Sequence, residues 1–150
     1  MRSYLVVMDG TEEALSALRY AARRAARTGG AIDILALIEP PEFSQWSAVQ
    51  AAMEEEARLR AEAMVAQATG AIAEEAGIKP AITVRQGEPV KAVTEMLKER
   101  SDIGALVLAA GEGTPGPLIA HFAGAAAGGL PCPLVIVPAA LSDEALERVA

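Results

Sequence analysis

Aromatic residues and cysteine are scarce in this sequence, and both absences limit what it can be. Phe, Trp and Tyr supply 3% of the 150 residues while hydrophobic residues supply 52%, so the core must be aliphatic. An aliphatic, alanine-rich core favours helices packed on a parallel sheet over an aromatic-rich β-sandwich. The single cysteine, Cys132, excludes an internal disulfide and gives no sign of secretion.

Basic residues are also few, particularly in the second half of the chain. The formal net charge is −7, and after Arg100 the only Lys or Arg is Arg148. Nucleic-acid binding depends on neutralising phosphates with these side chains, so we exclude it. No segment approaches the roughly 20 apolar residues of a membrane span, and the apolar run near Met1 is too short for a signal peptide. We therefore expect a cytoplasmic protein that has no membrane partner.

Five short apolar runs are interpreted as buried strands. They are Tyr4–Met8, Ala31–Ile38, Ala81–Arg85, Ile103–Ala109 and a run from Pro133. Helical segments separate them, the longest being an alanine-rich helix over Ala51–Gly77, after an irregular segment over Glu39–Val49. Thr11 is expected to cap the first helix and Ser142 the last one. This alternation predicts an α/β domain with an open parallel sheet and helices on both faces.

Ligands of such sheets bind beyond the carboxyl ends of the strands, which directs attention to the residues found there. Asp9, Gly10 and Thr11 follow the first strand, and Ile38 ends the second. Asp9 is open to two interpretations. It can hold a ribose hydroxyl or a metal–phosphate group, or it can order the turn by accepting hydrogen bonds from its own backbone.

A glycine-rich loop, residues 111–117, follows the fourth strand and precedes a helix of small residues. Gly111, Gly113 and Gly116 can offer unpaired backbone N–H groups to a phosphate group. The loop contains no Lys, Arg or Ser, and it is neither a Walker P-loop nor a dinucleotide fingerprint. The alternative, given equal weight, is a tight turn that its two prolines make rigid.

Several of these segments together resemble the universal stress protein family. Leu5–Ala14 is similar to the family's opening strand and Asp-Gly-Ser/Thr turn, and Gly87-Glu88-Pro89 is similar to its third-strand exit. Leu106–Ala110 and Pro131–Val137 resemble its closing strands. The resemblance implies a universal stress protein-like domain over residues 1–138, followed by a C-terminal helical tail over residues 139–150.

The resemblance also carries expectations about architecture and ligands. It implies a Rossmann-like sheet in the strand order 3-2-1-4-5 and a homodimer formed through the fifth strand. The residues of that strand are Leu134, Val135, Ile136 and Val137. ATP-binding members carry the loop pattern Gly-x2-Gly-x9-Gly-Ser/Thr. Here Gly113 and Gly116 match its first half, but the loop is shorter and atypical, so that His121 stands where the hydroxyl is expected.

These observations predict a cytoplasmic, homodimeric stress-response protein that acts by interaction or by sensing a small ligand. AMP or ATP is the expected ligand, with Mg²⁺ only if a nucleotide binds, and no catalytic residue or metal site of its own is assigned. The first alternative is an enzyme that hydrolyses ATP slowly with Asp9 and Glu112. The second is a purely structural dimer whose fifth strand pairs with its twin.

Overall fold

The sheet has five parallel strands. The computed structural model describes residues 2–38, 46–72 and 78–150. The strands are β1 (Ser3–Met8), β2 (Ala31–Ile38), β3 (Ala81–Gln86), β4 (Ile103–Ala110) and β5 (Leu134–Pro138). They lie in the order β3-β2-β1-β4-β5 and every neighbouring pair is parallel. The predicted fold and strand order are therefore confirmed.

Helices cover both faces of this sheet. They are α1 (Glu13–Thr28), α2 (Ser47–Ile72), α3 (Pro89–Glu99), α4 (Pro117–Phe122) and α5 (Asp143–Val149), with a 3₁₀ turn at Ala127–Gly129. On one face, α1 buries five alanines and Leu18, each at most 4% exposed, which brings the helix close to the sheet. On the other face, Val93 and Phe122 from α3 and α4 pack against Leu5 and Leu106. The aliphatic composition is what permits this close packing.

Two helix termini show why the boundaries fall where they do. Glu88 caps α3, since its carboxylate accepts hydrogen bonds from the backbone N–H groups of Val90 at 3.0 Å and Lys91 at 2.8 Å. Ser142 caps α5 by accepting from the Ala145 N–H at 3.1 Å, as the sequence predicts. The α5 helix is thereby fixed in position to pack on α1.

A polar network joins the amino ends of the strands. Asp33 in β2 is 4% exposed, and both of its carboxylate oxygens accept hydrogen bonds from the Arg100 guanidinium at 3.0 Å. Ser3 in β1 also donates to Asp33, and Arg100 bonds Asp102 at 2.8 and 2.9 Å. The hydrogen bonds from Arg100 lower the pKa of Asp102 below its usual value. One arginine thus holds together the segments that lead into three strands.

Some predicted details of the helices are wrong. Thr11 does not cap α1: the helix begins at Glu13 after Glu12, and no side chain caps it, because the Thr11 hydroxyl donates to Asp9 instead. Helix α2 begins at Ser47 rather than at Ala51, since nothing between the two residues breaks a helix. Residues 39–45 of the predicted irregular segment and the predicted helix end at Gly77 lie outside the described residues.

The lone cysteine behaves as a small buried hydrophobe. Cys132 is 9% exposed and packs with the core on the α3 and α4 face. Burial raises the pKa of its thiol, which disfavours the reactive thiolate. The residue therefore contributes to packing.

Candidate functional site

A cavity of about 250 Å³ opens at the carboxyl ends of β1 and β4. Its floor includes Val7 from β1 and Leu108 from β4, and its rim includes Ile119 from α4. In the sheet, β2 and β3 lie on one side of β1, whereas β4 and β5 lie on the other side. The strand order therefore reverses between β1 and β4. Open α/β sheets bind ligands in the crevice at such a reversal. The cavity therefore lies where the sequence places the site.

The turn from β1 to α1 forms one wall. Gly10 has a φ of +85°, a left-handed conformation that glycine adopts readily. Asp9 Oδ1 accepts hydrogen bonds from the Thr11 N–H at 3.1 Å and from the Thr11 hydroxyl at 2.6 Å. The turn role considered for Asp9 is therefore observed. The second oxygen, Oδ2, makes no hydrogen bond within the described part of the chain, so it can still accept one from a ligand.

The glycine loop forms the opposite wall. A Cβ on Gly111 would lie 2.6 Å from the Glu13 carboxylate oxygen Oε1, so a larger residue there requires that flexible side chain to move. Gly113 has a φ of +93°, which turns the loop. Gly116 precedes Pro117 at the start of α4. The loop therefore approaches the first turn of α1 closely at Gly111.

The cavity is acidic. Asp9, Glu13 and Glu112 line it, and none of the lining residues that the structure describes is Lys, Arg or His. The undescribed segments 39–45 and 73–77 contain no such residue in their sequence either. A ligand here meets carboxylates, backbone groups and an apolar floor. This arrangement can accept hydrogen bonds from hydroxyl or amino groups and bury an apolar ring.

The structure brings together half of the predicted nucleotide-binding residues. Those lining the cavity are Asp9, Thr11, Gly111 and Gly116. Gly10 and Gly113 shape the adjacent turns without lining it. Ile38 is 4% exposed at the end of β2, where its carbonyl accepts a hydrogen bond from Gly87. His121 lines a different cavity.

Sequence reasoning missed the role of Glu13. Glu13 lies in the first turn of α1, where its charge interacts favourably with the helix dipole. In the structure it also lines the cavity and contacts the Cα position of Gly111. No local pattern pointed to this role, because Asp9–Thr11 form a turn and the approach to Gly111 depends on how α1 lies beside the loop after β4.

The described residues contain neither a metal-binding cluster nor a membrane-spanning helix. Within residues 2–38, 46–72 and 78–150, no three His, Cys, Asp or Glu side chains are arranged to hold a metal ion. Of the helices in these ranges, none is both long and apolar enough to cross a membrane.

Solved structures show the same fold. A universal stress protein UspA from Lactobacillus plantarum superposes with a TM-score of 0.73 at 18% identity, covering 91% of this chain and 97% of its own. A universal stress protein family protein from Arabidopsis thaliana with AMP bound has a TM-score of 0.61 at 11% identity, covering 96% and 95%. A universal stress protein in complex with cAMP has a TM-score of 0.50 at 19% identity, covering 91% and 96%.

Sequence comparison gives the family directly. No curated protein matches the sequence significantly. The model of the universal stress protein family, however, matches residues 1–138, which is most of the chain. The chain, with its 3-2-1-4-5 sheet and its cavity at the reversal of strand order, belongs to the universal stress protein family.

Proposed function

We propose that this protein is a cytoplasmic stress-response protein that senses an adenine ligand with at most one phosphate group. AMP is the preferred ligand. The observation that carries the proposal is the cavity at the strand-order reversal, which combines an apolar floor with three carboxylates. The relatives crystallised with AMP and with cAMP support it, because each of those ligands carries a single phosphate.

Charge favours AMP over ATP. A phosphomonoester carries about −1.5 to −2 charge near neutral pH, and each further phosphate adds to it. Asp9, Glu13 and Glu112 would repel that charge, and no basic side chain lines the described cavity to offset them. Helix α4 has six residues, and a helix dipole contributes only about 0.3–1 kcal/mol to a nearby anion. Micromolar affinity requires about 8 kcal/mol, so the base and the ribose must supply most of it.

Each part of the cavity has a proposed role. The free oxygen of Asp9 and the carboxylate of Glu13 accept hydrogen bonds from the ribose hydroxyls. The backbone N–H groups of Gly111, Gly113 and Gly116 donate to the phosphate. Adenine packs on the apolar floor formed by Val7 and Leu108. Mg²⁺ would bind only together with a nucleotide. ATP, the other expected ligand, would need it most, because ATP carries the most phosphate charge.

Two predicted ligand residues have indirect roles in this proposal, and two have none. Gly10 and Gly113 allow the left-handed turns that place the walls of the cavity. Ile38 and His121 do not line it, and ligand contact by either stays a prediction.

The binding proposal is tested with a variant that fills the cavity. Ala110 ends β4 and lines the cavity, so Ala110→Leu places three extra carbon atoms inside it. Ala123→Leu is the matched control, since Ala123 is exposed and lines neither described cavity. Small molecules are extracted from each purified protein and identified by mass spectrometry, and AMP affinity is measured by calorimetry.

The expected result is AMP or a related adenosine compound in the wild type and in the control, and none in Ala110→Leu. AMP affinity should fall by about tenfold or more in Ala110→Leu, because the added side chain displaces the ligand. An empty wild type that also fails to bind AMP in solution contradicts the proposal and favours a function through protein partners alone.

We also propose that the protein is a homodimer formed through β5. This strand lies at one edge of the sheet, and an exposed edge offers unpaired backbone groups to a second chain. Ile136 is 40% exposed, whereas Val137 is 2% exposed and belongs to the core. Leu134 and Val135 are partly buried against the two core layers. Ile136 is therefore the residue at which to test the interface.

Ile136→Glu should convert a dimer to a monomer, because a carboxylate buried at a strand interface has no partner. Val84→Glu is the matched control at the opposite edge strand, where Val84 is 44% exposed. Mass from light scattering distinguishes the outcomes. A wild-type monomer, or a dimer that only Val84→Glu disrupts, contradicts the β5 interface.

A further inference from the structure

A second cavity lies at the other end of the sheet, beside the amino ends of β4 and β5. It measures about 720 Å³. The C-terminal half of α3, helix α4 and the segment that ends in the 3₁₀ turn enclose it. Cavities that bind small molecules measure roughly 300–1,000 Å³, so this one is large enough for a ligand of ordinary size.

The walls of this cavity are mainly apolar. Leu97 from α3, Ile103 from β4 and Phe122 from α4 line it, and each belongs to the hydrophobic core on this face. Leu130 and Ala126 add to the lining and are only partly buried. A ligand that covers apolar surface in an open cavity removes that surface from water, and this stabilises its binding. The body of a ligand here is therefore hydrocarbon.

The polar lining is basic. Lys98 is exposed at the end of α3 and forms no ion pair with any described residue. His121 is half-buried, its ring stacks edge-to-face on Phe122 at 4.9 Å, and its ring nitrogens form no hydrogen bond with any described residue. Arg100 is already bonded to Asp33 and Asp102. No acidic residue is among the described lining residues, although the whole chain is acidic.

We propose that this second cavity binds a small organic anion: a carboxylate with an aliphatic or aromatic body. The carboxylate lies beside the Lys98 ammonium group and the His121 ring, which donates a hydrogen bond. The apolar body packs against Leu97, Ile103 and Phe122. Lys98 supplies the charge complementarity, since the Arg100 guanidinium is neutralised by its two aspartates. The site is separate from the adenine cavity and does not depend on it.

The proposal is tested with decanoate, a carboxylate with a ten-carbon chain, at concentrations where it remains monomeric. Calorimetry compares its affinity with that of decyltrimethylammonium, which has the same chain and the opposite charge. Lys98→Glu reverses the charge at the cavity. Lys91→Glu is the matched control, because Lys91 lies on the same helix but does not line the cavity.

Decanoate should bind the wild type with one molecule per chain, and decyltrimethylammonium should bind about tenfold more weakly or not at all. Lys98→Glu should weaken decanoate by about tenfold or more, while Lys91→Glu changes it by less than about twofold. Ala125→Phe, which adds a ring to the cavity lining, should abolish binding without lowering the affinity for AMP.

Four results would overturn the proposal. Absence of decanoate binding removes it. Equal affinity for the two amphiphiles, or equal loss in Lys98→Glu and Lys91→Glu, shows adsorption to apolar surface without recognition of the anion. Binding that survives Ala125→Phe shows that the ligand lies outside this cavity. The cavity would then be a groove for a peptide segment or a second protein.

Discussion

The two ends of the sheet differ in charge, although one set of parallel strands connects them. At the carboxyl ends, the smaller cavity is lined by Asp9, Glu13 and Glu112. At the amino ends, the larger cavity is lined by Lys98 and His121. The strands supply apolar floors to both, so the difference comes from the helices and loops that join them. Ligand chemistry is thus set separately at the two ends without changing the fold.

The two ends also differ in how they are held together. The amino end has the buried Asp33 carboxylate, which Arg100 and Ser3 bond from neighbouring segments. The carboxyl end has the short-range contact between Asp9 and Thr11 and a loop rich in glycine. At the carboxyl end, few hydrogen bonds join distant segments, so the local structure can adjust to a ligand. At the amino end, the hydrogen bonds around Asp33 fix the start of the sheet.

The largest expected effect is a loss of stability when the polar network at the amino end is disrupted. Arg100→Gln removes the two hydrogen bonds to Asp33 and leaves a buried carboxylate with Ser3 as its remaining described partner. Breaking a buried pair costs about 3–5 kcal/mol, and partial exposure of Arg100 reduces this to roughly 2–3 kcal/mol. Urea denaturation measures the change in the free energy of unfolding.

The control is Arg58→Gln, which removes exposed ion pairs with Glu55 and Glu62 on α2. It should cost much less than Arg100→Gln does, because exposed ion pairs contribute little to stability. If the two variants lose equal stability, the network at the amino end has no special role.

The next effect concerns the carboxyl end. Gly111→Ala places a methyl group against the Glu13 carboxylate, which must move. Because Glu13 is exposed and flexible, stability should change by less than about 1 kcal/mol, while AMP affinity falls by about tenfold. Gly128→Ala is the control, since a Cβ there meets open space. Unchanged AMP affinity in Gly111→Ala would show that the contact between loop and helix does not shape the site.

A smaller effect sharpens the charge comparison. Replacing Glu13 and Glu112 by Gln removes two negative charges from the smaller cavity. The affinity for ATP without Mg²⁺ should rise by roughly threefold to tenfold, and more than the affinity for AMP, because ATP carries more charge. The control replaces Glu56 and Glu144, which line neither described cavity, with Gln. An equal gain in that control would assign the effect to net charge alone.

The smallest effect is on pH dependence. Arg100 lowers the pKa of Asp102 in the folded state, so the unfolded chain binds this proton more readily. The stabilisation is complete above the unfolded value of about 3.9 and is lost as the pH falls through the lower folded value. Asp102→Asn should therefore lose less stability between neutral and acidic pH than the wild type does. Parallel pH profiles would contradict this role for Asp102.

The fold could be predicted further than the site. Continuous apolar runs such as Ile103–Ala109 identify buried parallel strands, because both faces of the sheet are covered. Asp9 and Gly111 could also be found, since a residue that follows a strand lies at a known end of the sheet. The start of α2 was missed because local propensity near Val49 is weak in either direction.

Features that depend on packing between distant segments could not be predicted. Glu13 meets Gly111 only because α1 and the loop after β4 lie side by side. His121 was grouped with the glycine loop by its spacing, but helix α4 turns back along the sheet and places it in the other cavity. The basic cavity itself combines residues from α3, α4 and the segment before β5, whose proximity no local pattern encodes.

The most direct test of this account is a calorimetric titration of the wild-type protein with AMP, ADP and ATP in buffer without Mg²⁺. If the acidic cavity at the carboxyl ends is the ligand site, affinity should fall by about threefold or more with each added phosphate. Affinity that rises from AMP to ATP would contradict the account, because it requires a cationic phosphate site that this cavity does not have among its described residues.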